Sequence, residues 1–225
     1  MKKKLITVCL SILIIIFVLL SSTQIVVLSD DFFNKQYINN NVINNTQIEI
    51  DELMEITDEI QKYLFDDRED FLINGIVNGQ EQQVFNTRET IHMADVKKLF
   101  KWGVILRNIS FLLIITISFF VWKKDRKVLY RSFLYSFIVF IIIGILISIL
   151  LTSDFNKYFN IFHEILFYND YWMLDSNNSV LINMLPLDFF INISIRIGAV
   201  TASIILLLGV IGYLKIYKKG GKYVR

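Results

Sequence analysis

The chain has 225 residues, of which 54% are hydrophobic, and a mean hydropathy of +0.51. That excess excludes the ordinary soluble globular class, in which apolar runs of about 18 residues are rare. One proline and nine glycines argue against a turn-rich β-architecture, one cysteine excludes a disulfide framework, and the net charge of +2 is informative only through its distribution.

Four apolar runs follow one another. The first, Leu5 to Leu28, follows Lys2, Lys3 and Lys4. A secretory signal has a shorter apolar region ending in a small-x-small cleavage site. Ile25-Val26-Val27-Leu28 prolongs this run without one, so an uncleaved span is expected. Cys9 has too few apolar residues before it to be a lipid-modified terminus. The second run extends from Val104 to Trp122, the third from Val128 to Leu151 and the fourth from Phe189 to Tyr217.

Five sections result: residues 1–28 with the first span; an outer domain at 29–101; 102–152 with two spans around the hairpin 123–127; a second outer loop at 153–188; and 189–225 with the last span and tail. In the outer domain, Asn39-Asn40-Asn41 and Asn44-Asn45-Thr46 read as a loop. Gln47 to Phe65 reads as an amphipathic helix, with Ile50, Leu53, Met54 and Ile60 set against an acidic face. Phe71 to Asn86 reads as turns or a small hairpin around Asn74-Gly75 and Asn78-Gly79. Thr87 to Lys101 reads as a helix entering the second span, and Phe155 to Leu166 as a short aromatic helix. The expected fold is an all-α membrane protein: four transmembrane helices with a small, mostly helical extracellular domain.

Charge sets the expected topology, because cytoplasmic edges of spans are rich in Lys and Arg. Lys2 to Lys4, the hairpin cluster Lys123, Lys124, Arg126, Lys127 and Arg131, and the tail residues Lys215, Lys218, Lys219, Lys222 and Arg225 hold 13 of the 23 basic residues, with Asp125 the lone acid. Segment 29–101 has 7 basic and 15 acidic residues. Both termini and the hairpin are therefore expected in the cytoplasm, and the two polar segments outside.

The two histidines, His92 and His163, fall in outer segments separated by two spans, so they share a membrane face. Asp95 stands one helical turn from His92, close enough to orient its ring. Arg88, Glu89 and Lys97 are near by, and Glu164, Asn169, Asp170, Trp172 and Asp175 follow His163. The bland reading is an ordinary headgroup-level pair. No HExxH or HxH spacing supports a metal, no G-x-S-x-G elbow supports a serine hydrolase, and the basic residues mark membrane edges rather than nucleic-acid contacts. Transport suits poorly the nearly uncharged first three spans. Arg196, seven residues into the fourth run, costs roughly 2.5–3.5 kcal/mol to insert at a span centre. It either snorkels to phosphate or holds an anion, and Arg107 reads as a snorkelling edge residue. An enzyme, a membrane sensor and an accessory or transport subunit all stay open on these residues alone.

Two stretches narrow the choice. Ile91-His92-Met93-Ala94-Asp95-Val96-Lys97-Lys98-Leu99-Phe100 resembles the HMxDVKxLF motif of the lipoprotein intramolecular transacylase (Lit) family. Phe162-His163-Glu164-Ile165-Leu166-Phe167-Tyr168-Asn169-Asp170-Tyr171-Trp172-Met173-Leu174-Asp175 resembles its FHxxxFxNDxWxLD motif. Pro186 and Arg196 fit as well, although Leu187, not an acid, follows the proline. The resemblance implies an acyltransferase acting on a diacylglyceryl-modified lipoprotein in the outer leaflet. It would move the sn-2 acyl chain to the α-amino group of the same cysteine, giving the lyso form. It implies His92 and His163 as catalytic, with Arg88, Asp95, Lys97, Asn169, Asp170, Trp172, Asp175 and Arg196 in support; because Asp95 can orient its ring, His92 is the expected base. No cofactor, metal or nucleic-acid partner is implied.

Overall fold

The computed structural model describes residues 2–77 and 79–217. The expected turn at Asn78 and the tail cations Lys218, Lys219, Lys222 and Arg225 lie outside them. In chain order the elements are α1 (Lys2–Val27), α2 (Asp30–Asn39), α3 (Val42–Thr46), α4 (Ile50–Leu64), β1 (Asn74–Val77), β2 (Gln80–Gln83), α5 (Thr87–Lys124), α6 (Arg126–Ser153), α7 (Phe155–Leu166), α8 (Val180–Met184) and α9 (Leu187–Tyr217). Among the described residues, α1, α5, α6 and α9 are long and apolar enough to cross a membrane. At 1.5 Å per residue the 38 residues of α5 reach about 57 Å, well beyond a hydrocarbon core of roughly 30 Å. Its first turns, with His92, therefore precede the membrane-spanning run.

The chain forms two compact units. The first comprises Met1–Gln24, Val104–Ser153 and Ile195–Arg225. Leu10, Ile14, Val18, Val121, Leu129 and Ile205 are the centre of its core. Small residues allow close helix approach, as is usual where lipid already satisfies apolar surface. A Cβ on Gly212 would lie 2.5 Å from the Tyr130 carbonyl oxygen, and one on Gly209 would lie 2.7 Å from the Phe137 Cβ. Asp125, between α5 and α6, accepts from Lys3 Nζ at 2.8 Å, so the N-terminal cluster and the basic hairpin share one end of the unit.

The second unit comprises Ile25–Gly103 and Asp154–Ser194. Its amphipathic helix α4 buries Leu53, Ile56, Thr57, Ile60 and Leu64, spaced at three and four residues. β1 and β2 pair antiparallel, with Val77 opposite Gln80 and Gly79 at φ 75° in the connection. Asn74-Gly75 forms part of β1 instead of a turn. A Cβ on Gly75 would meet Glu52 Oε1 at 2.8 Å and Val84 Cγ2 at 2.9 Å, so a side chain there would push the strand off α4. Three helices, α2, α3 and α8, fall outside the elements expected from the sequence. Asp30 and Asp31 begin α2, where their charge suits the helix dipole. α3 occupies the expected Asn-rich loop, bounded by Asn41 (φ 56°) and Gln47 (φ 58°), left-handed positions that Asn tolerates well.

Candidate active site

The site lies within the second unit and is built on the start of α5 and on α7 with its following loop. A reciprocal capping box opens α5: Glu89 N donates to Asn86 Oδ1 at 3.0 Å, and Asn86 N donates to Glu89 Oε2 at 2.6 Å. Glu89 is only 1% exposed, and its second oxygen accepts from Ser179 Oγ at 2.6 Å and Leu181 N at 2.7 Å. A buried carboxylate is tolerable only when so satisfied. The same bonds join the start of α5 to the Ser179–Leu181 segment, one turn before His92.

His92 and His163 are both buried, at 9% and 8% exposed. Their ring centroids lie 6.1 Å apart at 37°. Phe167 packs against both, its centroid 5.3 Å from His92 and 5.7 Å from His163, and Trp172 stacks on His163 at 4.9 Å and 28°. The Nδ1 of His163 is 2.7 Å from the Phe159 carbonyl oxygen. A carbonyl only accepts, so in the neutral ring Nδ1 carries the proton and Nε2 keeps its lone pair. Burial pushes the His92 pKa down to about 4, helped by the neighbouring His163 and partly opposed by Asp95. Burial also lowers His163, against the Phe159 carbonyl. Both rings are therefore neutral near pH 7.

The supporting residues divide into those at the pair and those elsewhere. Asn169 donates to Asp95 Oδ2 at 2.8 Å, and Lys98 donates to Asp95 Oδ1 at 2.9 Å. Burial raises the Asp95 pKa, but these bonds outweigh it and hold the carboxyl below its usual range. Asp95 thus ties α5 to the α7 loop, and among the described hydrogen bonds it reaches neither imidazole. The orienting bond expected at His92 is instead found at His163, supplied by the backbone of its own helix. Arg88 donates to the carbonyls of Met173, at 3.1 Å, and Asp170, and its guanidinium sits 5.5 Å from the Tyr171 ring centroid. It thereby clamps the loop that carries Trp172.

Lys97 is drawn away from the pair. It donates to the Arg68 carbonyl at 2.6 Å, pairs with Asp66 at 3.2 Å and lies over the Tyr63 ring. Asp175 closes a local turn by accepting from Asn177 N and Nδ2. Arg196 is exposed on α9, in the first unit, and among the described residues no ion pair includes it. Glu89 stands near His92 in the sequence but is given no supporting role there, although the spacing Asn86-x-x-Glu89 before a long helix is a legible capping signal.

A model of the family described as lipoprotein intramolecular transacylase Lit matches residues 8–190. A solved structure of the membrane-integral lipoprotein intramolecular transacylase Lit from Bacillus cereus superposes with a TM-score of 0.82 at 22% identity, covering 97% of this chain and 98% of that one. Two further structures of it, with a histidine replaced by alanine or by arginine, give 0.76 and 0.75 at 22% identity, each covering 97% of this chain and 96% and 94% of theirs. No curated protein matches the chain. Identity at that level speaks for the fold.

Proposed function

The chain belongs to the lipoprotein intramolecular transacylase family, and from that premise we propose that His163 and His92 together move the sn-2 acyl chain of an S-diacylglyceryl-cysteine lipoprotein onto the α-amino group of the same cysteine. The protein is a multi-pass membrane acyltransferase. The observation that carries the division of labour is the His163 Nδ1–H bond to the Phe159 carbonyl, which leaves Nε2 as a proton acceptor.

In this reading the α-ammonium first loses a proton, since only the free amine is nucleophilic. Its nitrogen attacks the sn-2 ester carbonyl, and an N–C bond forms. An imidazole with a lowered pKa is a weak base toward an ordinary ammonium. It is matched to the same nitrogen once the bond to carbon has formed, when that nitrogen is strongly acidic. His163 Nε2 takes this proton and returns it to the departing glycerol oxygen as the C–O bond breaks. His92, neutral and with its ring centroid 6.1 Å from that of His163, donates its N–H to the carbonyl oxygen as charge develops there. Amine and ester belong to one molecule, so orientation supplies much of the rate. Amide formation from an ester is downhill and needs no external energy source.

Arg88, Asp95, Asn169, Asp170 and Trp172 hold the rings in this reading, Asp175 shapes the loop behind them, and Lys97 acts at a distance by pinning the 66–68 turn to α5. Arg196 is assigned to headgroup phosphate. The 13 basic residues of the inner segments, together with the Lys3–Asp125 pair, support termini and hairpin in the cytoplasm, with the site at the outer face. The test is chemical. Purified protein incubated with a diacylglyceryl lipopeptide should yield an isomer of unchanged mass whose fragments carry acyl on nitrogen. Unchanged substrate with folded protein would refute the reading.

A further inference from the structure

α7 carries more apolar surface than its own unit covers. At 100° per residue its aromatic and aliphatic side chains occupy an arc of roughly 160°. Phe159 and Leu166 stand on the part of the arc beside His163 and are half-buried. On the far part, Phe162 is 51% and Ile165 70% exposed. The patch continues into the loop, where Tyr168 is fully exposed and Met173 is 49% exposed. Asn156, Lys157, Asn160 and Glu164 make up the opposite, polar side.

A contiguous exposed patch of this kind marks a binding surface. What covers it follows from the chain. α7 begins two residues after the end of α6, a span whose last turns expose Ile145, Ile149 and Leu150. That span face is covered by acyl chains, and in the chain only Asp154 separates the end of the span from the first residue of α7. A short helix at headgroup level, apolar on one side and carrying a lysine on the other, has the makeup of an interfacial helix. Aromatic rings such as Tyr168 favour that depth.

We propose that α7 and the 168–173 loop bind the outer-leaflet lipid surface, with Phe162, Ile165 and Tyr168 inserted among the acyl chains and His163 held at ester depth on the inner edge of the same helix. This goes beyond the acyl-transfer reading and does not depend on it, because it is a statement about lipid contact.

The test uses the full chain with Cys9→Ser and single cysteines at Phe162, Ile165, Tyr168, Asn160 or Glu164. Each is labelled with bimane and reconstituted in phosphatidylcholine–phosphatidylglycerol vesicles. Labels at 162, 165 and 168 should be quenched at least twofold more by chain-attached nitroxide lipid than those at 160 and 164, and at least threefold less by aqueous iodide. Equal iodide access at all five positions would overturn the proposal. So would shielding that rises with the protein-to-lipid ratio without nitroxide quenching, since a second copy would then be the cover. Because the readout is optical, it stands apart from failure of the transfer reaction.

Discussion

The two units spend their polar groups differently. In the spans, hydroxyls turn back on their own helix: Thr7 donates to the Lys3 carbonyl, Thr116 to Leu112, Thr201 to Ile197 and Ser203 to Ala199. Ser11, which also reaches the Ser132 carbonyl at 3.0 Å, is an exception, and so are Ser22 and Ser110, whose hydroxyls are buried with no partner among the described residues. In the second unit, polar side chains bridge distant parts of the chain. Glu89 reaches Ser179 and Leu181, Asn169 reaches Asp95, Arg88 reaches Met173, and Gln61 donates to the Val27 carbonyl. A span has no water to satisfy a polar group left over, so helical self-satisfaction and small-residue packing are the safe solution. A directional site instead needs long-range hydrogen bonds that fix angles as well as distances. The spans should therefore tolerate changes of polarity at their hydroxyls better than changes of size at their glycines, and the second unit the reverse.

The sharpest test removes an imidazole. His163→Ala and His92→Ala should each lower turnover by about 10³-fold or more while membrane insertion is unchanged, measured by lipopeptide conversion beside the amount of protein in the membrane. Retained activity in either would break the assignment of chemistry to this pair. Gly212→Leu should act in the opposite way. It drives side-chain atoms into the Tyr130 backbone, so the yield of folded protein should fall severalfold, with turnover per folded molecule nearly unchanged. If turnover per molecule collapsed instead, the separation of roles between the two units would be wrong.

Glu89→Ala leaves the Ser179 hydroxyl and the Leu181 amide buried without an acceptor, each costing roughly 1–3 kcal/mol. A tenfold loss of turnover and faster proteolysis of the 176–185 segment are expected. Glu89→Gln, which keeps one acceptor oxygen, should recover part of both. Wild-type behaviour of Glu89→Ala would show that the hydrogen bonds of Glu89 are not what holds His92.

Acidity gives a smaller effect with a definite sign. His92 in the folded chain titrates at about 4, against about 6.5 when exposed. Between those values the unfolded chain binds the proton and the folded one does not. Stability is thus complete above about pH 6.5 and falls as the pH is lowered toward 4. The acid limb of turnover should likewise fall well below pH 6.5, and a midpoint at 6.5 would contradict a buried neutral pair. The smallest effect expected is at Arg196. Lysine also keeps a cation on a long stem, so Arg196→Lys should retain turnover within about threefold. A tenfold loss would restore the anion-holding role.

The legible parts of the molecule were those fixed by a period or a length. A bilayer demands a long apolar run, so α1, α5, α6 and α9 stand out, and α7 is bounded in the sequence by Asp154 and by the return of polar residues at Asn169. The meeting of His92 and His163 could be anticipated because two intervening spans return the chain to the same face. The partners of Glu89 and Lys97 could not, because a hydrogen bond over 92 residues, or the 29 between Lys97 and Arg68, leaves no periodic trace. Asp95 illustrates the limit of local reasoning. Its spacing from His92 permits an orienting bond, but its oxygens are taken by Lys98 and by Asn169, 74 residues away.

The acceptor that sets the His163 tautomer belongs to Phe159, four residues earlier on the same helix. The ring is therefore programmed by the coiling of α7 itself and not by any distant partner. Twelve residues are too few to coil durably in water without a surface to lie on. Until the segment coils, the imidazole is free to shuttle its proton between two nitrogens. Once it coils, the reactive nitrogen is declared. The readiness of this base is thus a report on whether its segment has found its place, which ties the chemical competence of the chain to its own maturation.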